Sequence, residues 1–421
     1  MIGFIGLSHL GLNYSLATAA KGFDVVCYDP DSALVGRLRD GVFPIEEPGF
    51  RELFALHRTR LRYTSDLSEL GKCGLVFYAL DVRTNERNES DPGPLSALIA
   101  STAPSLGRDC VAVVMSQVRP GYMRELAART RTPAKAWYYQ VETLIFGAAV
   151  QRAMEPERFI VGSGTPGTPL PEAYRPWLDA FGCPVLIMRY ESAELAKIAI
   201  NFFLVSSVTT TNTLAELCEA IGADWGEIAP ALRLDRRIGP HAYLKPGLGI
   251  AGGNLERDLI TVKALASAHG TDAGIVDAWL AHSAHAKSWA MRVLEREVLH
   301  MKPAARIAVW GLAYKQDTHS TKNSASIELI RGLPGCDVHA YDPAATPGEV
   351  LPNLTLHPGA LAALSGADAL AIMTPWKEFS GADPAAIAKE LRGKLVIDPY
   401  GVLNPRACEA AGLRHVQIGR G

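Results

Sequence analysis

A chain of 421 residues, 48% hydrophobic and 20% charged, is too long for a single core and implies two or three domains. Its 42 basic residues against 44 acidic leave a net charge of -2, which excludes a global field drawing it to nucleic acid or to an anionic membrane, so any phosphate must be held locally. No apolar run approaches the roughly eighteen residues that span a bilayer, and Met1 leads straight into Ile2-Gly3-Phe4-Ile5-Gly6 without a basic leader, so a soluble, cytoplasmic protein with no membrane partner is expected.

The first elements read as a short apolar strand over residues 2–5, a glycine turn over 6–11, a helix to about residue 20 and a second strand over 23–28, a βαβ opening. Gly6-Leu7-Ser8-His9-Leu10-Gly11 fits GxGxxG with Ser8 at the middle glycine, and Asp29 closes the second strand. Gly6 permits the tight turn, Gly11 lets helix and strand approach, and the helix N-terminus offers N–H groups to a pyrophosphate. Asp29 would accept from a ribose 2′-hydroxyl and repel a 2′-phosphate, which selects NAD over NADP. Ser8 puts a Cβ where backbone should come closest to phosphate. Leu10 in the same turn and Ser116, just past the apolar run over residues 111–115, complete the expected cofactor contacts.

Apolar runs at residues 75–80, 111–115 and 159–161 alternate with helical patterns, as in a doubly wound parallel sheet. A long helical pattern follows over residues 191–221, closing at Gly222, and more helix over about 273–300. Leu195, Ile198, Phe202 and Val205 recur at helical spacing there, which suits a homodimer interface or an internal core equally. After Lys302-Pro303 a second α/β unit begins at residues 306–310 and repeats apolar runs at 337–341, 367–373 and 394–398. The expected architecture is α/β: two Rossmann-like doubly wound domains joined by a central helical domain, with boundaries at 1–190, 191–300 and 301–421. The seven cysteines, Cys27, Cys73, Cys110, Cys183, Cys218, Cys336 and Cys408, show no CxxC spacing and read as free thiols, and no metal site is indicated.

Five further segments, in order, resemble motifs of the UDP-glucose/GDP-mannose dehydrogenase family. Glu194-Leu-Ala-Lys197-Ile-Ala-Ile-Asn201 is similar to its ELxKxxxN helix, Asp235-Arg236-Arg237-Ile238-Gly239 to DxRIG, and residues 246–258 to its PGxGFGGSCFPKD loop. Gly311-Leu-Ala-Tyr-Lys315 with Asp317-Thr318 resembles GxxFKxxT, and Thr374-Pro-Trp376-Lys-Glu-Phe379 resembles TxWxxF. The resemblance implies an N-terminal NAD-binding domain, a central dimerisation domain and a C-terminal domain for the nucleotide sugar. Lys197 and Asn201 stand i, i+4 on one helix face and could polarise one substrate oxygen. Alone, such a pair is more often a solvated lysine and a packing asparagine, and only the motif favours the site. The resemblance also carries over Asp258, in the glycine-rich loop, as the group that holds a water or takes the hydroxyl proton, and Glu142 as the catalytic glutamate of PEFLREG. Arg237, reaching across a dimer in the family, and Lys315 are expected as phosphate or sugar clamps, with Gly252 and Tyr243 as further substrate contacts.

The departures gather at the reacting centre. Asn254 stands where the family has the cysteine that captures the aldehyde and forms a thioester, and an amide is no nucleophile at neutral pH. Phe146 and Ile145 replace the second glutamate and the arginine of PEFLREG, Gln117 the threonine of STVPPGT, Lys322-Asn323-Ser324 the RES of TxDxRES, and Tyr400 the arginine of DGR. The expected activity is therefore a single NAD-dependent two-electron oxidation of a hydroxyl on a nucleotide-activated sugar. The rivals are a redox epimerase with retained NAD and a non-catalytic NAD and nucleotide-sugar binding regulator. Full oxidation through a free aldehyde hydrate ranks below the first two.

Overall fold

In the computed structural model, residues 1–85, 87–130 and 136–421 are described, and the chain divides into two compact units, Met1–Ile200 and Asn201–Gly421. The first is built on eight strands: β1 Ile2–Ile5, β2 Val25–Tyr28, β3 Leu61–Thr64, β4 Leu75–Tyr78, β5 Val111–Val114, β6 Ala136–Gln140, β7 Phe159–Ser163 and β8 Val185–Arg189. Their order is β3-β2-β1-β4-β5-β6-β7-β8, so the winding reverses between β1 and β4, the place where a doubly wound sheet opens a crevice at its carboxyl ends. β1, β2, β4 and β5 are buried at every residue, as strands covered on both faces must be, which is why each reads as a continuous apolar run. The expectation of a wholly parallel sheet needs one correction: β6 and β7 pair antiparallel, joined by the short helix Ala149–Met154.

The second unit contains a six-stranded sheet of β9 Arg306–Trp310, β10 Asp337–Tyr341, β11 Leu354–Leu356, β12 Ala369–Ile372, β13 Leu395–Ile397 and β14 Arg414–Val416. It is parallel throughout, in the order β11-β10-β9-β12-β13-β14, which repeats the winding of the first sheet about its own switch point between β9 and β12. Ahead of it come the helices Trp225–Leu234, Asn254–His269, Gly274–Lys287 and Trp289–Leu294.

The helix Tyr190–Ile221 runs 32 residues and ends at Gly222, whose φ of 74° suits the left-handed position after a helix. By length and composition this helix could cross a bilayer, although no uninterrupted apolar run announces it. Of the four spaced apolar residues, Ile198 and Val205 are buried, Phe202 packs edge-on to Trp279 at 5.3 Å, and only Leu195 is exposed. Three of the four are internal packing. The exposed apolar residues of the same helix are instead Phe203, Leu214, Leu217 and Ile221.

Candidate functional site

In the first unit, Gly6 follows β1 with φ +92°, its N–H on the Tyr28 carbonyl at 2.9 Å, and a Cβ on Gly11 would lie 1.9 Å from the Gly6 carbonyl oxygen. Only glycine closes this turn. Ser8 caps the helix His9–Ala20 without using its hydroxyl there. That hydroxyl instead donates to the Ala79 carbonyl at 3.1 Å and accepts from the Asp81 N–H at 2.9 Å, pulling the side chain toward the chain leaving β4. The Leu10 side chain is in the core, so its contribution to a ligand is its backbone N–H; Ser116 is fully buried with its hydroxyl on the Tyr78 carbonyl at 3.4 Å.

Asp29 braces the turn, accepting from Leu7 N–H at 2.8 Å through one oxygen and from Asp31 N–H at 3.0 Å through the other. A carboxylate offers about four acceptor positions, so ribose hydroxyls still find room. The second unit supplies a contrast at the same topological place. Asp342, after β10, accepts from Leu312 N–H, Ala313 N–H and Trp376 Nε1 through one oxygen and from Ala344 and Ala345 N–H through the other. Its acceptor positions are taken by the protein. The residues present therefore fit a dinucleotide in the first unit and not in the second. We expect NAD to bind roughly a hundredfold tighter than NADP, since a 2′-phosphate must desolvate against the Asp29 carboxylate. Parallel titrations of the two would show it, and equal affinity would remove Asp29 from the cofactor site.

Lys197 and Glu142 meet in this unit. The Lys197 ammonium lies 2.7 Å from Glu142 Oε1 and also donates to the Glu142 carbonyl at 2.9 Å, while Glu142 Oε2 accepts from Leu144 N–H at 2.9 Å. Glu142 is thus a largely buried partner of the lysine and not an exposed loop acid. Its loop is fastened to the glycine turn through Glu47, which accepts from Gly147 N–H at 3.0 Å, Ala149 N–H at 3.2 Å and the His9 imidazole at 2.8 Å. The Phe146 ring packs on His9 with centroids 4.3 Å apart. Phe146 therefore closes an aromatic contact beside the cofactor turn. Sequence reasoning assigned no role to His9 or Glu47, and their pairing across 38 residues leaves no local pattern. Glu194, one turn before Lys197, is fully buried and accepts from Gly121 and Met123 N–H, each at 2.7 Å, capping the helix Tyr122–Arg129 from outside. Burial raises its pKa and these N–H donors oppose the rise.

In the second unit, Asn201 Nδ2 donates to Asp258 Oδ2 at 2.5 Å, and Arg257 Nε lies 3.2 Å from Asp258 Oδ1. Asp258 is buried and helical, not part of a glycine-rich loop as expected: the helix Asn254–His269 starts at Asn254, one turn earlier on the same face. Gly252 is required by contact, because its Cβ would fall 2.4 Å from the Tyr314 ring; its N–H donates to the Lys322 carbonyl at 3.1 Å. The Lys322 ammonium reaches within 3.4 Å of where a Gly253 Cβ would stand, against the N-terminus of the Asn254 helix. Glu256 accepts from Gly253 N–H at 3.1 Å and from Asn323 Nδ2 at 2.6 Å. Lys315 stands 5.9 Å over the Tyr314 ring. Tyr243 is half-exposed, its carbonyl accepting from the Thr211 hydroxyl at 3.0 Å. The Arg237 side chain is 89% exposed and held by Asp235 at 2.7 Å. Tyr400 packs against the Gly247 backbone, and burial pushes its phenol up to about 12. Among the described residues, no group of three or more His, Cys, Asp or Glu side chains could hold a metal ion.

Three matches to known proteins cover these parts. Residues 1–177 match the NAD binding domain of the UDP-glucose/GDP-mannose dehydrogenase family, residues 191–283 its central domain and residues 308–405 its UDP binding domain. A UDP-glucose 6-dehydrogenase from Pseudomonas aeruginosa is 30% identical over 99% of this chain and 96% of its own length. The solved UDP-glucose dehydrogenase from Pyrobaculum islandicum superposes with a TM-score of 0.82 at 27% identity, covering 95% of this chain and 94% of that one. A UDP-D-ManNAc dehydrogenase from Pyrococcus horikoshii shares the fold, with a TM-score of 0.83 at 23% identity over the whole of both chains.

Proposed function

The chain belongs to the UDP-glucose/GDP-mannose dehydrogenase family, and from that premise we propose that it oxidises a hydroxyl of a nucleotide-activated sugar with NAD in one two-electron step. The observation that carries the single step is Asn254, an amide at the head of the helix that also holds Asp258. NAD, held by the Gly6–Gly11 turn, the helix N-terminus behind it and Asp29, supplies the hydride acceptor. Lys197 and Asn201 stabilise the negative charge that develops on the substrate oxygen. Asp258, oriented by Asn201 and Arg257, takes the hydroxyl proton directly or through a water, and Glu142 sets the position of the lysine. Arg237, Lys315, Gly252 and Tyr243 are assigned to the nucleotide sugar, in a chain partitioned functionally as 1–190, 191–300 and 301–421.

A panel of nucleotide sugars tests this reading by NADH absorbance and product mass. One NADH per sugar with loss of two hydrogens is the expected result; an isomer formed without NADH makes the protein an epimerase, two NADH per sugar with gain of oxygen makes it a full dehydrogenase, and neither product with any sugar favours a binding protein.

The proposed assembly is a homodimer, with neither nucleic acid nor membrane as a partner and a cytoplasmic location. Phe203, Leu214, Leu217 and Ile221 leave an apolar stripe on a helix whose Glu194, Lys197 and Asn201 are satisfied by protein groups, an arrangement for a protein partner rather than lipid. Sedimentation at micromolar concentration should give twice 45.3 kDa, and Leu217→Glu should shift it toward monomer. A monomeric parent protein would overturn the assignment.

A further inference from the structure

The edge of the first sheet carries a cavity that the cofactor chemistry does not use. It measures about 510 Å3, within the range of small-molecule sites, and is lined by Arg39, Arg58, Arg62, Phe54, Tyr63 and Asp40 among others. Register places it away from the dinucleotide turn. Leu61 lies level with Val25 and through it with Ile2, at the start of β1, whereas the glycine turn leaves the other end.

The three arginines come from three elements: the last residue of the helix Ser32–Arg39, the turn Arg58–Arg60 and β3. Two are already oriented. Arg39 Nε donates to the Tyr63 carbonyl at 2.9 Å, and Arg62 pairs at 3.2 Å with the buried carboxylate of Glu69. The Arg58 carbonyl accepts from Leu61 N–H, but its guanidinium makes no hydrogen bond or ion pair with any described residue. The helices Ser32–Arg39 and Phe50–His57 end here, and each C-terminus contributes roughly half a negative charge. With Asp40 and Glu69 that makes about three negative charges against Arg39, Arg58, Arg62 and Lys72, which shares Glu69 at 2.7 Å, and leaves about one excess cation, on a chain whose acidic residues outnumber its basic ones. Phe54 adds a half-buried ring fixed edge-on by Phe43 at 4.7 Å.

We propose that this cavity is a second anion site that binds a nucleoside polyphosphate, with its phosphates on Arg39, Arg58 and Arg62 and its base against Phe54. Guanidinium forks match phosphate oxygens in pairs. The cavity extends past the arginines to the Phe54 ring, which inorganic polyphosphate alone leaves unused.

Calorimetry on the full-length protein, with NAD and UDP saturating so that both family sites are filled, tests it with pyrophosphate and GTP as probes. GTP should bind saturably and more tightly than pyrophosphate. Arg58→Ala, which removes a side chain without partners, should weaken both by tenfold or more, and Phe54→Leu should weaken GTP alone. Absence of saturable binding, or binding unchanged in Arg58→Ala, overturns the site; pyrophosphate binding as tightly as GTP overturns its assignment to nucleotides. Unchanged thermal melting of Arg58→Ala shows that lost binding is not lost folding.

Discussion

Lys197→Met is expected to lower turnover about a thousandfold while NAD affinity stays within a few-fold. Removing one preorganised donor to a developing oxyanion costs roughly a hundred- to a thousandfold in other enzymes. Lys197 also holds the Glu142 loop by two contacts, at 2.7 and 2.9 Å, so its loss should reach the upper end. The cofactor turn should survive, because Glu47 fastens the same loop independently through Gly147, Ala149 and His9. Stripping the cation from a largely buried carboxylate destabilises the fold by up to about 3–5 kcal/mol, so the comparison needs the double change Lys197→Met with Glu142→Gln, which leaves no orphan charge. If that folded double variant turns over within tenfold of the parent, Lys197 is a structural cation and not part of the site. Lys197→Arg keeps a cation on Glu142 and should restore folding without restoring rate, since a planar guanidinium held by Glu142 cannot place a compact point donor at the substrate oxygen.

What the sequence disclosed follows from the range of each interaction. β1, β2, β4 and β5 were legible because a strand buried on both faces must be apolar throughout, β9 because it is so after Arg306, and Gly6 to Gly11 because a turn is a local object. β8 was passed over, since a short apolar run such as Val185–Met188 does not declare its period. The edge strand β3 alternates Leu61, Arg62 and Tyr63 over too few residues to stand out. The helix at Asn254 was hidden by the glycines before it: its N-cap, Gly253, has no side chain, and the capping carboxylate comes from Glu256 three residues inside. That error put Asp258 in a loop and obscured its place one turn after Asn254. Lys197, Asn201 and Glu142 were found only through motif resemblance. Glu194 was part of a motif, yet its duty as a cap for a helix some seventy residues earlier could not be read from spacing.

Asn254→Cys should convert the protein into one that traps its own product. Position 254 offers what a thiol needs. Position 254 is the first residue of a sixteen-residue helix, where unpaired N–H groups and the helix dipole favour an anion, and the Lys322 ammonium lies against the preceding glycine. Both lower a cysteine pKa, so a substantial fraction of Cys at this position should be thiolate at neutral pH. Its sulfur would attack the aldehyde carbon left by the first oxidation, forming a C–S bond while the carbonyl oxygen takes a proton, and loss of that proton with hydride transfer to a second NAD would give a thioester. Release of the acid then requires a positioned water. Phe146, an apolar ring, packs on His9, and Glu142 is committed to Lys197, so water activation should be poor. The expected result is a covalent sugar-nucleotide adduct in intact-protein mass spectra of Asn254→Cys, none in the parent, and uronate formed at least about a hundredfold more slowly than the adduct. Adding Phe146→Glu should raise that release. Rapid uronate formation by the parent protein, or an adduct on it, would mean that another residue already does the work of the missing cysteine.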